Sequence, residues 1–189
     1  MSESPFDPAH ADARAEVRAK LATAAMELRD AERIAASMKT DDLELASQVK
    51  SLGFDGDSAR IFDLLPLIHV AWADGRIQRA ERGRILRLLS LRQIGEESQA
   101  YRMVAALLEE RPAEVWFEVS LDLLRRLVEA RPWKAEALVE MCIGVAEAAG
   151  GFMGFGDSIS PEERDALAKI SEALGEEAYN AFAARLGKA

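Results

Sequence analysis

The 189-residue chain predicts an all-α fold: a helical bundle of two related helix-turn-helix hairpins plus a long N-terminal helix. Three observations predict it. Leu and Ala dominate while aromatics are only 6% of the chain, a helix-forming composition. Apolar residues recur at spacings of three and four, and no stretch alternates as a strand would. One helix–turn–helix pattern occurs twice.

Each element has its own local signal. Residues 1–8, with Pro5 and Pro8 among polar residues, read as a disordered tail. From Ala9 to Met38 the apolar positions Val17, Leu21, Ala24, Leu28, Ala31, Ala35 and Met38 step by four and three. That is a heptad seam. It fits a helix laid across its own domain, or an arm that pairs with another chain as a homodimer. Residues 9–40 are therefore set apart as an N-terminal helix, and 41–189 as the all-helical domain. Thr40-Asp41-Asp42 starts the next helix and Gly53 stops it. Phe54–Ser58 is a turn in which Asp57 or Ser58 can cap the third helix. That helix runs through Ile61, Phe62, Leu64, Leu65, Ile68 and Trp72. Pro66 either kinks it or sits in its first turn behind Asp63.

After Asp74-Gly75 a helix reaches about Arg92, and another covers roughly 96–109. Arg111-Pro112 and Arg131-Pro132 each open a helix with proline placed at the first helical position. A stretch GGFMGFGDS then precedes a last pair, Ser160–Leu174 and Glu176–Leu186, divided by Gly175.

Charge and targeting narrow the function. The formal net charge is −9, and no basic run is present, which argues against nucleic acid and anionic membrane as partners. The longest apolar run, Leu64–Ala73, is half the ~20 residues a membrane span needs. The start MSESPFDP lacks the apolar core of a secretory signal. One cysteine, Cys142, fits a reducing cytoplasm.

Residues 71–86, AWADGRIQRAERGRIL, carry the most specific pattern. Asp74, Gly75, Ile77 and Glu81 have the spacing of the second half of a calcium loop. The pattern recurs. Ala146-Glu-Ala-Ala-Gly150 is followed, after an insertion, by Ile159-Ser-Pro-Glu-Glu-Arg164. Ile77 then matches Ile159, Glu81 matches Glu163 and Arg82 matches Arg164. Ile85 and Leu88 match Leu167 and Ile170.

On these residues the chain resembles the tellurite-resistance TerB-like family over roughly residues 58–186. The resemblance rests on Ala71, Asp74, Gly75, Ile77 and Glu81, and on CIGVAEAAG followed by ISPEERDALAKISEALG. It implies an all-helical fold of two hairpins, a role in metal-ion and oxidative stress, and a divalent cation held at the acidic turns. The second copy departs from the signature. Ala149 stands at the Asp position, and Gly151–Ser158 are inserted, with Asp157 able to return an acid to the turn.

The turns admit two readings. As a metal site, Asp74, Glu81, Asp157 and Glu163 are the candidate ligands. Val70 and Trp72 stand where a full calcium loop has acids, so any Ca²⁺ or Mg²⁺ is held weakly, on the order of millimolar. As a structural corner, Gly75 takes a positive φ, and Ser160 with Glu163 forms a capping box. Glu81 has a weaker structural reason, because Gln78 is a poor cap. Asp74 has none, because the C-terminal end of a helix dipole disfavours an anion.

Little else points to chemistry. The loop GGFMGFG with Phe152, Met153 and Phe155 either tucks onto the core or forms a contact lip. His69, on an apolar helix, and Cys142, between Met141 and Ile143, read as packed residues. The two histidines support no triad, and no phosphate loop or zinc spacing is present. The chain is expected to be a non-enzymatic module that binds protein partners. The alternative is an oligomerising scaffold using residues 9–38, with purely structural acidic turns.

Overall fold

A computed structural model describes residues 8–129, 132–149 and 159–187. The described residues form helices joined by short turns, with no strand among them. The helices are α1 (Pro8–Met38), α2 (Leu43–Ser51), α3 (Leu65–Ala71), α4 (Arg79–Leu91), α5 (Gln99–Glu109), α6 (Glu114–Glu129), α7 (Pro132–Ala149), α8 (Pro161–Leu174) and α9 (Glu176–Leu186), with a 3₁₀ segment, Ser58–Leu64, leading into α3.

Two apolar helices organise the bundle. In α3 all residues but His69 are buried, so it is a central strut rather than an amphipathic surface helix. In α7, Ala135, Leu138, Val139, Cys142, Ile143, Val145 and Ala146 are buried. The two struts pack on each other. Helix α7 also receives α4, α8 and α9, while α6 closes over α2, α3 and α8. Each strut is the first half of a hairpin, α3 with α4 and α7 with α8. The expected pair of related hairpins is therefore the middle of the molecule. Cys142 is wholly enclosed and burial pushes its thiol up, which fits an inert core residue.

Capping explains most boundaries. The Asp42 carboxylate accepts from the Leu45 amide at 2.8 Å and starts α2. Its pKa is held below the usual carboxylate range, first by that bond, with Arg126 adding to it. At the next turn the cap is Asp55. It takes the Ser58 amide and hydroxyl at 2.7 Å each, and the Asp57 amide at 3.0 Å. Asp57 instead reaches across to the Ala100 amide at 3.1 Å, tying this turn to α5.

Pro66 lies in the first turn of α3 behind Leu64. Asp63 is not the cap there, because it forms a two-pronged pair with Arg92 at 2.6 and 3.0 Å. Pro132 opens α7 as expected, but α6 begins at Glu114. The Ala113 carbonyl accepts the first bonds of α6, so Pro112 stands outside the helix.

His69 stacks on Phe117, with ring centroids 4.5 Å apart and planes 9° apart. Its Nε2 lies 3.4 Å from Glu114. Burial lowers its pKa, against the pull of Glu114. It is a packed side chain, as expected. No helix among the described residues is long and apolar enough to cross a membrane.

Candidate functional site: two buried glutamates at the hairpin elbows

Both elbows are built from the backbone outward. The first leaves α3 through Trp72, whose indole N–H donates to the Leu107 carbonyl at 2.9 Å. Gly75 then turns the chain at φ 89°, with its amide on the Trp72 carbonyl at 2.9 Å. Nothing would meet a Cβ at Gly75, so its requirement is conformational rather than steric. Gly75→Ala is expected to lower stability by about 1 kcal/mol, measured by chemical denaturation. An unchanged midpoint would mean that the elbow relaxes freely.

The chain next runs extended to Gln78 and enters α4. The Gln78 amide donates to the Glu81 carboxyl at 2.6 Å. At the second elbow the Ser160 amide donates to Glu163 at 2.6 Å, and the Glu163 amide returns to the Ser160 hydroxyl at 3.1 Å. That is the expected capping box, worth about 1 kcal/mol. Ile159 is buried and Ile77 partly so, each just ahead of its cap. The arginines after each glutamate also act alike. Arg82 reaches Glu109 at the end of α5, and Arg164 donates to the Leu186 carbonyl at the end of α9 at 2.7 Å.

The caps do not account for the burial. Glu81 is 1% exposed and Glu163 is 4% exposed, whereas acids are almost never fully buried unless paired. The pairing is with each other: the Glu81 and Glu163 carboxyl groups share a hydrogen bond. Two carboxylates in such contact cannot both be ionised at low cost. Burial first, then the charges of Glu163 and Asp74, push the Glu81 pKa up to about 8, against the opposing bond from the Gln78 amide. At neutral pH Glu81 therefore keeps its proton.

The remaining predicted ligands are placed differently. The Asp74 side chain is 24% exposed, accepts from the Arg76 amide at 3.1 Å and lies 3.9 Å from the Arg76 guanidinium. It acts on Glu81 through its charge. Asp157, and with it the Phe152–Phe155 loop, lies outside the described residues. Among the described residues no group of three or more Asp, Glu, His or Cys side chains converges as metal ligands do. The sequence pattern paired Glu81 with Glu163 by register. It did not reveal that both turn inward to one point, nor that Gln78 anchors Glu81 by its backbone.

Two stacked hairpins, each with an inward-facing glutamate at its elbow, define the class: an all-helical module built on an internal repeat. Residues 64–186 match the family described as Tellurite resistance protein TerB. The match covers well over half of the chain, and the chain belongs to that family. No curated protein and no solved structure matches it.

Proposed function

We propose that the chain is a non-enzymatic TerB-like module that takes up a divalent cation between its two elbows and relays that event to protein partners in metal or oxidative stress, within the cytoplasm. The observation that carries this reading is the burial of Glu81 and Glu163, acids from two copies of one motif, with Glu163 close enough to act on the Glu81 carboxyl. A buried acid pair in which Glu81 keeps its proton at neutral pH is a place where a divalent cation can replace that proton. Each glutamate is fixed by a backbone N–H at 2.6 Å, so the oxygens are preorganised. Asp74, at the rim and already within electrostatic reach, supplies the third negative charge. Ca²⁺ and Mg²⁺ favour such oxygen donors. Bound there, the cation would supply charge neutralisation and a cross-link between the hairpins, with Asp157 as a further candidate ligand. Two or three carboxylates fall short of the six to eight oxygens that Ca²⁺ prefers, so water fills the shell and affinity is on the order of millimolar.

Because Glu81 must lose its proton, binding is expected to release one proton per cation below pH 8 and to tighten about tenfold per pH unit there. Titration calorimetry with Ca²⁺, Mg²⁺ and Zn²⁺ in buffers of different ionisation enthalpy reads both quantities. Asp74→Asn should weaken binding several-fold, and Glu81→Gln should abolish it. Absence of binding heat in the wild type, with an unchanged melting curve, would remove the cation from this account.

A second reading concerns α1. Its residues 12–29 are exposed, with Val17, Leu21 and Leu28 half or more so. That favours the arm as an oligomerising element, and it is compatible with the elbow site.

A further inference from the structure

We infer that the free part of α1 is an antiparallel docking strip for the same helix of a second copy. This rests on the reading of α1 as an oligomerising arm and adds the partner's identity, direction and layers.

The helix is one continuous seam used in two ways. At its C-terminal end Ala31, Ile34, Ala35 and Met38 are buried against α2 and the 3₁₀ segment. Further up the same stripe, Val17 is 55%, Leu21 65% and Leu28 50% exposed, and Ala24 is exposed too. Every residue from Asp12 to Arg29 is exposed. In proteins most helical stability comes from tertiary packing of an apolar face, and this exposed stretch has no such packing. One exposed pair, Lys20 with Glu16 at 2.7 Å, adds only a few tenths of a kcal/mol. The stripe therefore lacks the contact that its pattern calls for.

Three features select the partner's direction. The first is steric. Helix α2 occupies the stripe up to the level of Asp30, where the Lys50 amine meets the Asp30 carboxylate at 2.9 Å. Two parallel arms facing through this stripe would drive both copies of α2 into one seam. Antiparallel arms place the two bodies at opposite ends.

The second is volume. With the arms antiparallel, Leu21 faces the partner's Ala24 and Val17 faces the partner's Leu28, and symmetry repeats both layers. Each layer then joins a small residue to a large one, the arrangement that fills a helix interface evenly. Parallel arms would stack Ala24 on the partner's Ala24 and leave a hollow layer.

The third is charge. In the antiparallel register Lys20 flanks the partner's Glu27 on both sides. The parallel register sets Glu27 against the partner's Glu32, and like charges flanking a seam oppose pairing. The overlap ends where α2 begins, so four layers form the contact.

The test uses the full chain. Light scattering across the micromolar to millimolar range should show a dimer. Leu21→Glu should weaken it about a hundredfold or more, because a carboxylate would replace the central apolar side chain. The near-ultraviolet circular dichroism of the bundle should not change, since Leu21 touches nothing in it. Direction is read by mixing Val17→Cys and Leu28→Cys chains under mild oxidation; the native Cys142 is buried and does not compete. Mixed Val17→Cys/Leu28→Cys disulfides alone support the antiparallel strip. Disulfides only within each variant overturn the direction but leave the arm as the oligomerising element. A monomer at every concentration, or a dimer indifferent to Leu21→Glu, overturns both.

Discussion

Glu81→Gln is expected to melt above the wild type at alkaline pH, with a gain of about 5 kcal/mol at pH 9. The sign comes from the proton count. The Glu81 pKa is raised to about 8 in the folded chain, mainly by burial, while in the unfolded chain it returns to the ordinary glutamate range near 4.5. Between those values the folded state holds a proton that the unfolded state has released. Stability from this group is thus fully present below the unfolded value and lost as pH rises through about 8. Above that, two buried carboxylates face each other. Glutamine keeps an oxygen for the Gln78 amide and offers Glu163 an N–H donor at every pH. Wild-type stability should therefore slope downward from pH 5 to 9, while the variant stays nearly flat over that span. Glu162→Gln, one residue from the site but exposed, should track the wild type. Parallel pH curves for wild type and Glu81→Gln would refute the raised Glu81 pKa.

The second large effect tests the repeat. Ile85 lies four residues after Glu81 and Leu167 four after Glu163, and both are 0% exposed. Each anchors its elbow helix in the shared core. Ile85→Ala and Leu167→Ala should each lower stability by about 3 kcal/mol, the range for deleting a fully buried aliphatic group. The similarity of the two losses matters more than their size. The repeat diverges one turn later, where Ile170 is buried and Leu88 only partly so. Leu88→Ala should accordingly cost clearly less than Ile170→Ala. Equilibrium urea unfolding of the four variants settles both comparisons. Unequal losses at Ile85 and Leu167 would mean that the hairpins are related in sequence but not in load.

The fold was legible because its signals are local. Ser160-Pro-Glu-Glu and Asp42 announce helix starts, Gly75 and Gly175 announce turns, and heptad spacing announces α1. Each works within a few residues of chain. Where expectation and structure differ, a distant residue has intervened. Asp63 is drawn from a capping role to Arg92, and Asp57 to the Ala100 amide. Asp55 therefore serves as the cap of its own turn.

The candidate site was half legible. The recurrence of Glu at one register marked Glu81 and Glu163 as equivalent. Their meeting depends on how α3 and α7 cross, which no local pattern encodes. Glu81 also has a firmer structural basis than its Gln78 neighbour implied. A backbone amide holds it whatever side chain stands at the cap position.

Trp72 gives the elbow its own optical readout. Its indole is partly buried against the core and tethered to the Leu107 carbonyl, two residues before Asp74. Any rearrangement that draws Asp74 inward tugs on this tether and alters the ring's surroundings. The intrinsic emission of the unlabelled protein should therefore shift as the elbow fills, and Trp72→Phe should silence that shift while Trp116, bonded to Leu52 elsewhere, goes on glowing unchanged.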